Sequence, residues 1–385
     1  MSNIQAAAYY FPNYHRHDQR NDVWYGHGWS EWDLLQEAKP RFEGHHQPRE
    51  PLWGYEDESD PQVMARKIDA AADHGLTAFI FDWYWYEDGP YLEAALEKGF
   101  LKAPNNDRLK FSIMWANHDW THIHPHSGTG EAPVLSPGAL SLDAFRQATD
   151  RMIERYFPHP SYWRVEGGLY VSFYQISKLI EGFGGVEATR AALAEFRERV
   201  RHAGLGELHL NAVLFDKVIL AGEAPTSSSA ASPEQLGFDS VTSYVWIHHQ
   251  EMRQFPTTKF PGYAQQCIAD WSRLRGQEAL RYIPNVTVGW DPSPRTNQAG
   301  HYDDIGYPYT PILVENSPVE LRRVVAAMKT FLAESNDSSP QIFTINAWNE
   351  WTEGSYLEPD TVNGFAFLEA IRDTLRVTED SSITR

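Results

Sequence analysis

Eight short apolar segments, most of them followed by a stretch of helical periodicity, constrain the fold of this chain more than any other feature. They span residues 6–12, 77–85, 110–120, 169–175, 209–216, 240–247, 282–290 and 341–348. Near-continuous apolar runs of this length read as strands buried on both faces, and strands alternating with helices imply a parallel sheet. Helices are expected over residues 61–74, 91–101, 142–157, 186–203, 263–275, 318–335 and 364–376, with a missing or very short one after the fifth strand. Eight such units favour closure into a (β/α)8 barrel, with a doubly wound open sheet as the second choice. Segments entering strands are short, such as HGLT, whereas those leaving strands one, three and five to eight are long and rich in Trp, His and Asp. Barrel enzymes build their sites from the loops at the strand C-termini, so this asymmetry marks the working face. Residues 1–376 are expected to form one catalytic domain and 377–385 a polar tail.

Charge narrows the partners. The formal net charge of −19 disfavours nucleic acid and anionic membrane surfaces. No run reaches the ~20 apolar residues of a spanning helix, and MSNIQAAAYYFP lacks a basic segment followed by an apolar core, so a soluble, cytoplasmic protein is expected. The single cysteine, Cys267, cannot form an internal disulfide and reads as a small apolar filler. With 14 Trp, 19 Tyr and 19 Phe, the chain has aromatic surface to stack on sugar rings beyond what a core requires.

The richest stretch is NAWNEWTEGSYLEPD, residues 346–360, directly after the apolar run 341–345. It places Glu350 and Glu353 at a strand end among Trp348, Asn349, Trp351 and Tyr356, with a third carboxylate at Glu358. Cleavage of a glycosidic bond needs one carboxyl group to protonate the leaving oxygen and another to raise a nucleophile. Residues three apart point to opposite faces of an extended strand, so the strand is expected to end near Asn349 or Glu350 and bend at Gly354 and Ser355.

Other strand ends carry further candidates for a sugar pocket: Tyr10, Asp82, Trp115, Asn117, His118, Asp119, Trp120, Tyr174, Tyr244 and Trp290. The long first loop adds Trp29, Glu31 and Trp32, as a lid or one wall. Any single one of these could equally be a core residue. His118, His122, His124 and His126 crowd together but match no standard zinc spacing, and no metal is expected. Neither a GxGxxG nor a GxxxxGK[ST] phosphate cradle is present, so no cofactor is expected. A GxSxG elbow is absent too.

Taken jointly, YYFPNYH, WYGHGWSEWDLLQEAKPRFEGHHQPREP, GLTAFIFDWYW, MWANHDWTH and NAWNEWTEGSYLEPD resemble the WbsX-like proteins. These occur in bacterial surface-polysaccharide gene clusters, were labelled glycosyltransferases, and are related to the endo-α-mannosidases of glycoside hydrolase family 99. The resemblance implies a (β/α)8 barrel and a metal-independent retaining hydrolase acting on α-mannose-like sugars; the expected substrates are α-mannosides or a related sugar such as rhamnose. By the same resemblance Glu350 takes the proton from the sugar 2-hydroxyl and Glu353 serves as acid/base, with Tyr10, Trp83 and Tyr244 in pocket positions. Where the WbsX-like pattern reads WANENW this chain has WANHDW, which alters the hydroxyl contacts on the third strand. A surface-polysaccharide glycosyltransferase and a non-catalytic sugar-binding barrel are the alternatives.

Overall fold

The computed structural model describes residues 4–128, 132–220, 222–277, 279–334 and 339–376. The polar tail at 377–385 lies outside them.

Nine parallel strand segments form the central sheet: β1 (Gln5–Tyr10), β2 (Ala78–Tyr86), β3 (Lys110–Trp115), β4 (Gly168–Phe173), β5 (Leu208–Leu214), β6 (Ser240–Ser243), β7 (Arg281–Ile283), β8 (Asn285–Thr287) and β9 (Ile342–Asn346). Their order is β7-β6-β5-β4-β3-β2-β1-β9-β8. The two ends of that order, β7 and β8, are separated in the chain by Pro284 alone, so the sheet curls into a nearly closed barrel. They are the two halves of the seventh expected strand. Pro284 has no N–H to give the ladder, which lets β7 pair with β6 and β8 with β9. The (β/α)8 expectation therefore holds.

Helices form where capping and apolar periodicity coincide. Asp60 accepts the N–H of Gln62 at the start of the helix Pro61–Asp73, and Ser317 does the same for Glu320 ahead of Pro318–Ala333. Three expectations need correction. The long loop after β1 folds into two short helices, α1 (Gln19–Trp24), capped by Asp18, and α2 (Glu31–Glu37). A helix at Ile176–Phe183 precedes Val186–His202, the two joined through Gly184 and Gly185, both at positive φ. The last strand ends at Asn346, three residues before the expected stop.

Both faces of each barrel strand are buried, and period two sorts their side chains. All nine residues of β2, AFIFDWYWY, are buried. Asp82 and Tyr84 face the barrel mouth. Phe79, Phe81 and Trp83 face the surrounding helices, where Trp83 meets Tyr156 and the edge of Trp115. Among the described residues no helix is long and apolar enough to cross a membrane.

Candidate active site

After β9 the chain makes a tight hairpin. Asn349–Glu350 pairs antiparallel with Ser355–Tyr356, and Trp351–Glu353 forms a 3₁₀ turn between them. Both carboxylates thus ride on one hairpin, Glu350 at the end of its first arm and Glu353 in the turn. Gly354 ends the turn at φ +63°, and a Cβ there would lie 2.6 Å from Cβ of Asp291. That close approach fastens the loop after β8 to the hairpin through the Asp291 N–H, which donates to the Glu353 carbonyl at 2.5 Å. Asp291 also accepts from Ser293 at 2.6 Å, and so shapes the turn Ser293–Arg295.

Arg295, delivered by that turn, is 5% exposed and faces three carboxylates. Its guanidinium reaches Glu353 at 2.5 Å, Glu31 at 3.1 Å and Glu350 at 3.3 Å. Tyr307 donates to Glu353 at 2.8 Å. Tyr244 lies 2.9 Å from Glu350 and 2.9 Å from Asp82. Glu31 also pairs with His124 at 3.2 Å and accepts from Thr352.

Electrostatics separates these groups. Burial alone would raise Glu31, but Arg295 and His124 outweigh it and hold the carboxyl at about 2. Glu350 is pushed well above its ordinary value by burial and then by the neighbouring Glu353, against the pull of Arg295. Glu353 is raised by burial, with Arg295 and Tyr307 opposing. Two neighbouring carboxyls that both hold a proton more readily than usual meet the condition under which one acts as acid while the other acts as base. Burial lowers His118 to about 4, so it lines the pocket as a neutral ring.

A pocket at the barrel mouth opens above these groups. Of the candidates from the sequence, Asp82, His118, Asp119, Trp120, Tyr174, Tyr244, Trp290, Glu350 and Glu353 line it. Asp119 is largely spoken for, pairing with Lys178 at 3.0 Å and accepting from the Gly138 N–H at 2.8 Å.

Nine candidates do not line this pocket, for two physical reasons. Tyr10, Trp83 and Trp115 have the wrong strand parity: Tyr10 packs on Phe79 and Phe81 under Lys67, and Trp115 stacks on Phe145. The others are spent on support. Trp32 is wedged among Tyr14, Tyr55 and Trp351, and Trp29 stacks on Tyr25. Asn117 holds the Gln175 backbone, and Asn349 grips both backbone groups of Phe11. Tyr356 stacks on Trp351 and donates to Asp360, while Glu31 stands behind Arg295. Glu358 turns away too, pairing with Lys67 at 2.8 Å.

Sequence reasoning missed Arg295, Tyr307 and Tyr84. The only signal for Arg295 was its place in a long loop on the working face, since no motif frames it. Two groups of side chains have metal-like spacing among the described residues, His17–Asp22–His27 and Asp216–His249–Asp270. Neither lines the pocket, and Arg273 already pairs with both aspartates of the second.

Fold and site together define a (β/α)8-barrel protein with a carboxylate cluster at its C-terminal mouth. The chain belongs to the family described as Glycosyltransferase WbsX, whose model matches residues 6–371. It is 29% identical over 387 residues to the protein WxcX, described as uncharacterized, of two strains of Xanthomonas campestris pv. campestris. That match takes in 97% of this chain and 50% of WxcX, so the chain spans about half the length of these relatives. Among solved structures, it is similar to the GH99 endo-alpha-mannosidase of Bacteroides thetaiotaomicron, with TM-score 0.54, 14% identity and 96% of each chain covered. A structure titled "Glycoside hydrolase-like protein" superposes with TM-score 0.65 at 15% identity, covering 98% of this chain and 95% of the other. At such identities these likenesses speak for the fold.

Proposed function

We propose that this protein is a retaining glycoside hydrolase acting on α-mannoside-like or rhamnoside linkages of a bacterial polysaccharide or glycan. The observation that carries this reading is the hairpin that presents Glu350 and Glu353 to one pocket, both bound by a single buried arginine. In the proposed reaction Glu350 takes the proton of the sugar 2-hydroxyl. The freed oxygen attacks the anomeric carbon as the glycosidic bond breaks, and Glu353 protonates the leaving oxygen. Glu353 then takes a proton from water, whose oxygen opens the three-membered ring at the anomeric carbon, and Glu350 returns its proton to the 2-oxygen. Tyr84, Trp120 and Trp290 supply aromatic walls for the ring.

The family description favours a second reading, a glycosyltransferase. A nucleotide-sugar donor brings a diphosphate, and Arg295 is the only Lys or Arg among the described residues lining the pocket. It is already engaged by three carboxylates, which supports the hydrolase. The deciding experiment incubates wild type, Glu350→Gln and Glu353→Gln with activated α- and β-glycosides and bacterial oligosaccharides. Release of an α-manno- or rhamno-configured sugar, lost in both variants, is the expected result. Consumption of a nucleotide sugar with no hydrolysis would overturn the proposal.

A further inference from the structure

The hydrogen-bond chain that ends on Glu350 begins two strands away in the sheet, at Asp82 of β2. The Tyr244 hydroxyl stands 2.9 Å from Asp82 Oδ2 and 2.9 Å from Glu350 Oε1, and all three groups are buried. A phenol has one proton and can donate it to one partner only. The second short contact therefore requires a proton on one of the two carboxyls. Two arrangements satisfy this count: Asp82 to Tyr244 to Glu350, or the reverse.

The surroundings choose between them. Glu350 has a cation at hand, with Arg295 3.3 Å from its other oxygen, Oε2. Asp82 has none among the described residues: the titratable groups around it are Tyr9 from β1, Tyr84 from its own strand, Tyr244, and the acids Glu350 and Glu353 of the hairpin. Its Oδ1 is buried without a hydrogen-bond partner. A charged Asp82 would leave that oxygen an unsolvated anion, whereas a neutral acid leaves only a carbonyl. Burial pushes both carboxyls well up, but Arg295 opposes it at Glu350, whereas only the bond from Tyr244 opposes it at Asp82.

We propose that Asp82 is a neutral carboxylic acid at neutral pH. It donates to Tyr244, so that Tyr244 donates to Glu350 and holds it as the ionised, proton-accepting member of the pair. The role assigned to Glu350 rests on the hydrolase reading above; the protonation of Asp82 does not. The chain answers a tension in the site, where Arg295 stands nearer Glu353 than Glu350 and by itself favours charge on Glu353. A donor arriving at Oε1 and a neutral neighbour in place of a third anion both favour charge on Glu350. Asp82 is thus a positioning residue that acts through Tyr244, as an amide in its place would also do.

The test compares wild type, Asp82→Asn and Asp82→Ala. Infrared difference spectra of substrate-free protein at neutral pH are expected to show a carboxylic-acid carbonyl band in wild type that Asp82→Asn lacks. Identical spectra in that region would overturn the proposal, and this readout stands even if the barrel hydrolyses nothing. In turnover, Asp82→Ala is expected to lose about 10- to 100-fold in kcat/KM, the loss of one hydrogen bond to a charged group. Asp82→Asn, whose amide N–H still donates to Tyr244, is expected to recover a large part of that loss and to move the alkaline limb of the pH profile upward. An Asn variant as impaired as Ala, with the limb unmoved, would refute the donor role. Should the Asp82 variants fail to fold, Tyr244→Phe decides: the acid band is expected to persist and shift toward that of a free acid, and an unshifted band counts against the chain.

Discussion

Replacing Arg295 by methionine keeps most of the volume and removes the cation that three buried carboxylates share. Glu31 sets the sign: against burial, Arg295 and then His124 hold it at about 2 rather than its ordinary 4.5. Breaking a buried ion pair from one side costs about 3–5 kcal/mol, which sets the magnitude. For 385 residues that is a fall in Tm of about 4–6 °C near neutral pH. The sign with pH is the sharper test. In wild type Glu31 lies below its unfolded value, so its contribution is in place above about 4.5 and is lost as pH falls from there toward 2. In Arg295→Met Glu31 keeps only His124 as a partner, and Glu350 and Glu353, already raised in wild type, rise further, which destabilises the fold above about 4.5 and is relieved as the carboxyls protonate. The Tm gap between wild type and variant, read by calorimetry, is therefore expected to be widest at pH 7–8 and to close toward pH 4. A gap that is absent, or the same at both ends of that range, would refute the claim that Arg295 balances buried charge.

The hairpin and the strand parity make separate predictions. Gly354→Ala is expected to lose about 2–5 kcal/mol, from the left-handed backbone and from the contact with Asp291, with activity falling further than stability because the Arg295 turn must shift. Denaturant melts and kcat/KM on the same preparation check both. Trp83→Ala is expected to cost about 3–5 kcal/mol while leaving kcat/KM of the folded protein nearly unchanged, whereas Tyr84→Ala, one residue on, raises KM through the pocket wall. If Trp83→Ala raises KM as Tyr84→Ala does, the assignment of faces along β2 is wrong.

The barrel was legible in the sequence because its determinants are local. Apolar runs of strand length, helix caps such as Asp60–Pro61 and short approaches to each strand are written residue by residue, and eight repeats leave few topologies open. The acidic pair was legible for the same reason, since Glu350 and Glu353 stand three residues apart beside a Gly that allows the turn. Parity was not. In AFIFDWYWY every residue is apolar or aromatic except Asp82, and both faces are buried, so nothing in the pattern says that Tyr84 faces the mouth while Trp83 faces the helices. Tyr10 and Trp115 were misplaced for that reason.

Arg295 was beyond reach in another way. It sits 55 residues from Glu350 and 264 from Glu31 along the chain, and becomes their shared counter-ion only when the loop after β8 is fastened against Gly354. Asp82, Tyr244 and Glu350 likewise come from three distant segments that the closing barrel brings to one hydrogen-bonded line. Residue type and spacing thus determined the fold and named the carboxylates. Which side chains face the pocket, and which charges balance them, depends on distances across the barrel, and only the tertiary structure sets those.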